Sequence, residues 1–213
     1  GAGIAVSGGR HNKIGGDRSI GLGPVGQGNL TSGNDIGIGL WSNASQNIVT
    51  GNLIGTHPDE VGAWGNDSGG ILLLEEANHN LIGPGNIVAY NGVGIEVHDL
   101  NTIGNTITQN TIYNNGWAGI FLWGDGNNEI AAPLILDSDL NAGKVTGTAC
   151  ENCTVEIFSD VGGEGQIFEG QAIADGSGVF VLDHESPFMG PRLTGVTVDP
   201  QGNTSPFSVP TSG

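Results

Sequence analysis

Positive charge is nearly missing from this chain. Five Lys and Arg residues stand against 22 Asp and Glu, a formal net charge of −17 over 213 residues. No basic patch can form, which argues against a nucleic acid or an anionic membrane surface as a partner. No apolar run approaches the length of a membrane span, so insertion as a helix is not expected. Helical periodicity is missing as well: no stretch repeats apolar residues at i, i+3 and i+4. The chain opens at Gly1 with neither Met nor a leader, as expected of a processed product or an excised fragment.

Cysteine is almost absent. Cys150 and Cys153 form a single C-x-x-C. Nothing around it reads as the βαβ unit of a thioredoxin-like site, and the second half of a zinc site is lacking. The pair reads first as a local disulfide that pins a turn, which implies an oxidising compartment.

What the chain has instead is Gly, Asn and repetition. Gly3-Ile4, Gly37-Ile38, Gly70-Ile71, Gly94-Ile95 and Gly119-Ile120 each open a short apolar run, at spacings of 34, 33, 24 and 25 residues. An Asn follows in each copy (Asn12, Asn47, Asn80, Asn105, Asn128), with an aliphatic two residues beyond. A second beat recurs as Asn52-Leu53-Ile54, Asn86-Ile87-Val88 and Asn110-Thr111-Ile112. Apolar and polar residues alternate within the units, the period of a strand. Fixed-period repetition of strands predicts a parallel β-solenoid with three short strands per turn. Asn suits its corners because it tolerates left-handed backbone angles, and stacked amides can bond along the axis.

The repeated G-I…N-x-I…N-x-I beat resembles the secreted right-handed parallel β-helix proteins of the pectate-lyase-like superfold. The resemblance covers residues 1–132, about five coils, and speaks for the fold rather than for an activity. From Ala131 the repeat stops, and Pro133 and Asp137-Ser138-Asp139 read as a transition. Strand-like runs follow at Lys144–Ala149, Thr154–Phe158, Gln166–Ile173, Gly178–Leu182 and Leu193–Val198, at the spacing of a β-sandwich. The closing T-x-D-x-x-G-N-T-S of Thr197–Ser205 and the V-E-x-F-S-D of Val155–Asp160 resemble bacterial immunoglobulin-like modules. That resemblance implies a spacer, cap or adhesive role for residues 133–213. The fold expected is all-β: a short right-handed parallel β-helix followed by an immunoglobulin-like sandwich.

Catalytic chemistry finds little to work with. Uronate elimination needs a basic residue beside the carboxylate, and Arg10, Lys13, Arg18, Lys144 and Arg192 all fall off the outward positions of the central coils. Glycoside hydrolysis needs two carboxylates at a set separation. Aligning the copies puts Glu75 and Asp99 at one position on adjacent coils, about 4.8 Å apart in backbone, with Glu96 and His98 nearby. These four form the alternative site, for an acidic glycan; the plainer reading is a solvated acidic edge. The inserted loop 55–65, with His57, Asp59, Glu60 and Trp64, is a weaker candidate for sugar or metal. No catalytic residue, cofactor or metal is assigned. Bound Ca²⁺, with Asp199 and Asn203 as ligands, is a third reading.

The outward positions of the Gly-Ile strands are more telling. Trp41, Leu72, Leu74, Phe121 and Trp123 should form an apolar stripe on the solvent side, larger than a lone soluble protein exposes. Either the downstream domain folds back over it, or another molecule does. The first coil, Gly3-Ile4-Ala5-Val6, shows no polar cap. The expectation is therefore a secreted, non-catalytic structural protein, extracellular or at the cell surface, that associates head-to-tail with copies of itself into a filament or surface layer. The alternative is an enzyme, carbohydrate-binding module or adhesin acting on extracellular polysaccharide.

Overall fold

The structure, a computed structural model, describes residues 1–23 and 25–211. Four turns of the chain each contribute three strands. The first holds β1 (Ala2–Ser7), β2 (Lys13–Gly15) and β3 (Leu30–Thr31). The second holds β4 (Ile36–Trp41), β5 (Ile48–Thr50) and β6 (Leu53–Ile54). The third holds β7 (Gly69–Leu73), β8 (Leu81–Ile82) and β9 (Ile87–Ala89), and the fourth β10 (Val93–His98), β11 (Thr106–Ile107) and β12 (Thr111–Tyr113). A fifth turn begins with β13 (Ile120–Trp123) and stops there, passing into a short 3-10 turn at Gly126–Glu129.

Equivalent strands stack in parallel. The long sheet runs β1-β4-β7-β10-β13, and two four-stranded sheets run β2-β5-β8-β11 and β3-β6-β9-β12. The repeated Ile sets the register: Ile4, Ile38, Ile71, Ile95 and Ile120 pair in sequence up the long sheet. Inside, Ile38, Leu40, Ile71, Leu73, Ile95 and Val97 are fully sealed, one aliphatic layer per turn. Ile4 and Val6 of the first turn pack on this core from one side only and are half-buried.

Asparagine holds the corners, in three ladders rather than two. The first runs Asn12, Asn47, Asn80, Asn105, Asn127, the second Asn29, Asn52, Asn86, Asn110, and the third Asn34, Asn66, Asn91, Asn115. In a typical rung the backbone N–H and the side-chain Nδ2 of one Asn both donate to Oδ1 of the next; from Asn47 to Asn80 the distances are 3.0 and 2.9 Å. A buried amide with all its bonds made is stable, and one with bonds missing is costly. The third ladder was hidden because its members lack an aliphatic at a fixed offset. The end of the first is also corrected: Asn127 is fully buried in it, whereas Asn128 is exposed. The tight 3-10 turn advances the ladder position by one residue.

The rest of the chain is antiparallel: β14 (Leu134–Asp139), β15 (Lys144–Thr148), β16 (Thr154–Asp160), β17 (Ile167–Ile173), β18 (Val179–Asp183) and β19 (Arg192–Val198). One three-stranded sheet is β14-β15-β18, the other β17-β16-β19. Val145 and Phe180 of the first share a core with Val155, Ile157 and Leu193 of the second. The stretch expected as an acidic transition is strand β14, whose Asp137 and Asp139 lie exposed on a strand paired to β15. A disulfide joins Cys150 and Cys153, Cα atoms 5.4 Å apart, in the turn before β16.

Candidate functional site

The outer face of the long sheet carries two columns of side chains. Register places Ala5, Gly39, Leu72, Glu96 and Phe121 in one, and Ser7, Trp41, His98 and Trp123 in the other. Leu74 continues the second column just beyond β7, its N–H bonded to Leu40 O at 3.1 Å.

This face is less uniformly apolar than the sequence suggests. A Cβ on Gly39 would lie 1.9 Å from the Trp41 ring, so the indole lies back across the glycine. Trp41, Leu72 and Leu74 are consequently half-buried among one another. The open aromatic surface lies higher, on the fifth turn, where Trp123 is 59% exposed. Trp117, which the sequence reading missed, is 69% exposed and leans on Phe121 with ring centroids 4.4 Å apart. It sits in the turn before β13, outside the alternation that marks strand positions.

Next to these rings lie Glu96 and His98. Two residues apart on one strand, they share a face, and His98 Nε2 comes within 2.9 Å of Glu96 Oε2. The approach is not in line: Nε2 is sealed from solvent and makes no well-aligned hydrogen bond among the described residues. Burial pushes the Glu96 carboxyl above its ordinary range, and His98 pulls it part of the way back. The imidazole meets Trp123 edge-on at 5.6 Å and Phe121 at 6.3 Å.

The other two members of the expected site do not join this pair. Glu75 and Asp99 follow β7 and β10 in stacked turns, both with left-handed backbone (φ 53 and 75). Glu75 Oε2 accepts from Ser42 Oγ on the turn before at 2.8 Å. Among the described residues neither carboxylate belongs to a cluster of three potential metal ligands.

Loop 55–65 is held down rather than poised. Tyr90 and Tyr113 hydroxyls donate to Val61 O and Glu60 O at 3.0 and 2.7 Å, and Arg18 pairs with Glu60. Asp59 Oδ1 accepts the Gly62 and Val61 N–H groups, which keep its carboxyl below the usual range. His57 contacts Asp59 at 3.0 Å and Trp64 edge-on at 4.4 Å. Asp199 and Asn203 are likewise occupied: Asp199 accepts the Asn203 N–H and Nδ2 at 2.8 Å each, and Asn203 Oδ1 accepts from Gly104 N–H. Among the described residues no three His, Cys, Asp or Glu side chains converge as metal ligands.

Among the described residues, the C-terminal sheets meet the outer face of the long sheet at the fifth turn, where Trp117 and Phe121 face Gly162, Glu164 and Phe207 across an open cleft of about 420 Å³, and they leave Trp123 exposed. Comparison with known proteins agrees with the coil. Residues 1–135 match the family model described as "Right handed beta helix region". No curated protein matches the chain.

Proposed function

We propose a function from the premise that the chain belongs to the right-handed β-helix family: it is a non-catalytic structural protein of the cell surface or extracellular space, whose copies associate through the outer face of the long sheet. Its C-terminal part is an immunoglobulin-like unit, a reading supported by the two antiparallel sheets and their common core. The Cys150–Cys153 disulfide supports an oxidising location.

One observation carries the association. The C-terminal sheets leave uncovered Trp123 on the fifth turn and, on the far side of the Glu96–His98 pair, the half-buried Trp41, Leu72 and Leu74, two apolar areas on a rigid stack. The contact is lateral. Head-to-tail growth would have to place a first coil against the C-terminal unit of the next copy, because that unit already covers the fifth turn. Electron microscopy of the purified protein at high concentration tests this. Ordered side-by-side assemblies support it, and discrete single particles count against it.

A second reading rests on Trp123, which meets His98 of the Glu96–His98 pair edge-on, and on Trp117, which packs on the neighbouring Phe121: exposed rings beside polar groups, as in sugar-stacking sites. It favours a neutral glycan, since Glu75, Glu96 and Asp99 repel an acidic one and none of the five cations lies on this sheet. Titration with neutral and uronate oligosaccharides separates the two. Binding of the neutral series, abolished by Trp117→Ala, supports the glycan reading; no binding by either removes it.

A further inference from the structure

Because β13 is the last parallel strand, the turn it begins lacks its second and third sides. The outer edges of β11 and β12 and the last Asn at each corner should then hold unmet donors. The C-terminal unit meets donors at or beside each corner: those of the last Asn at the first and third, and those of Thr108 and Gln109 next to Asn110 at the second.

Along β11, Ile107 N–H donates to Thr204 Oγ1 at 2.8 Å, Thr106 Oγ1 to Gly202 O at 2.9 Å and Gly104 N–H to Asn203 Oδ1 at 2.6 Å. The first Asn ladder ends with Asn127 Nδ2 donating to Thr204 O at 3.2 Å. At the second corner Glu156 accepts from Thr108 Oγ1 and from Gln109 N–H, the latter at 3.1 Å. Along β12, Ile112 N–H reaches Gly165 O at 3.3 Å. At the third corner the backbone N–H and Nδ2 of Asn115 both donate to Glu164 Oε2, at 3.1 and 2.9 Å. The rung below, Asn91 to Asn115 Oδ1, is the same pair of bonds at 3.1 and 3.1 Å. Glu164 thus stands where the next ladder Asn would be. Under these bonds Phe158, Val196 and Phe207 close on Ile107, Ile112 and Ile120, leaving a gap of about 10 Å³, the lower bound for a single water.

We infer that the C-terminal unit is a terminator of the solenoid: its face of Glu156, Phe158, Glu164, Asn203 and Thr204 is a recognition surface for the end of an Asn-laddered coil, supplying the two sides the fifth turn lacks. Incidental packing would bury apolar area; it would not reproduce a ladder rung with a carboxylate. The face is also built in advance. Asp160 accepts the N–H groups of Gly163, Glu164, Gly165 and Gln166, which fixes the loop that offers Glu164. Asp199 does the same for Asn203. The two motifs that stand out in this half, V-E-x-F-S-D and T-x-D-x-x-G-N-T-S, contribute Glu156, Phe158, Asp160, Asp199, Asn203 and Thr204. These six motif residues therefore serve the coil end. The unit is neither a loose spacer nor a free adhesive module, and the solenoid cannot be extended past it.

Backbone amide exchange on the full chain tests the inference. In the wild type, Ile107, Gln109 and Asn115 should exchange as slowly as the mid-stack amides Leu81 and Asn91. Glu164→Ala should speed Asn115 by about tenfold or more, as loss of local protection does. Glu164→Gln, which keeps an acceptor oxygen, should stay near wild type, and Thr204→Val should speed Ile107. Exchange of the wild-type Ile107 and Asn115 at open-edge rates overturns the inference, even if the Ala variant fails to fold. Equal behaviour of Glu164→Gln and Glu164→Ala overturns it as well.

Discussion

The indole of Trp41 occupies the space that a side chain on Gly39 would need, with ring carbon Cζ3 only 1.9 Å from the missing Cβ. The glycine is there for a neighbour two residues along its own strand. Gly39→Ala should lift the ring off the sheet, shift tryptophan emission to the red and cost about 1–3 kcal/mol, the usual range for overpacking. Unchanged emission and melting temperature would contradict the placement.

The Asn ladders make a sharp contrast between neighbours. Asn80 is buried, accepts from Asn47 and donates to Asn105 and Ala44 O. Asn80→Ala leaves several buried groups unpaired, at about 1–3 kcal/mol each, and should lower stability by at least 3 kcal/mol. Asn128→Gly, at an exposed position outside the ladder whose left-handed backbone (φ 54) glycine adopts freely, should stay within about 0.5 kcal/mol. Denaturant melts of the two variants check the corrected ladder end. Similar losses would put Asn128 back in it.

Stability should peak on the acid side of neutrality. Burial pushes the Glu156 carboxyl up, against the pull of its bonds from Thr108 and Gln109, and burial likewise raises Glu96. A carboxyl raised by folding contributes stability that is complete below its unfolded value and lost as pH climbs through the folded value. Asp17, Asp59, Asp175 and Asp183 carry the opposite sign: lowered on folding, they stabilise above the unfolded value and lose that as pH falls through the folded one. These four are fully exposed, so their share is small. The melting temperature should therefore rise from about pH 7 to about pH 5 and fall below about pH 4. Glu156→Gln should show a smaller rise. A wild-type value that falls steadily from neutrality would refute the assignment.

Much of the coil was legible because it repeats. Ile4, Ile38, Ile71, Ile95 and Ile120 announce their own register, and the structure pairs them in that order. What repetition could not show was where it ends. The fifth turn reads like the others through Gly119–Trp123, yet its remaining sides come from residues more than thirty positions downstream, such as Glu164 and Thr204. Long-range substitution of that kind leaves no local period. The candidate site was legible in part for a related reason. Strand alternation put Glu96, His98, Phe121 and Trp123 on one face, but it could not tell that Trp41 folds flat. Nor could it place Trp117, which lies in a turn. Alignment also stacked Glu75 on Asp99 without revealing that Ser42, on the turn before, takes up the Glu75 carboxylate.

Sedimentation equilibrium of the full chain and of Trp123→Asp, across protein and salt concentration, goes straight to the proposed lateral contact. The mutated side chain is exposed, so the fold should survive its replacement. The wild type should reach multiples of 21.6 kDa as concentration rises, more readily at high salt, where the mutual repulsion of chains carrying −17 is screened. Trp123→Asp should remain at 21.6 kDa under the same conditions. A wild type that stays at 21.6 kDa throughout, or a variant that associates equally well, would contradict it.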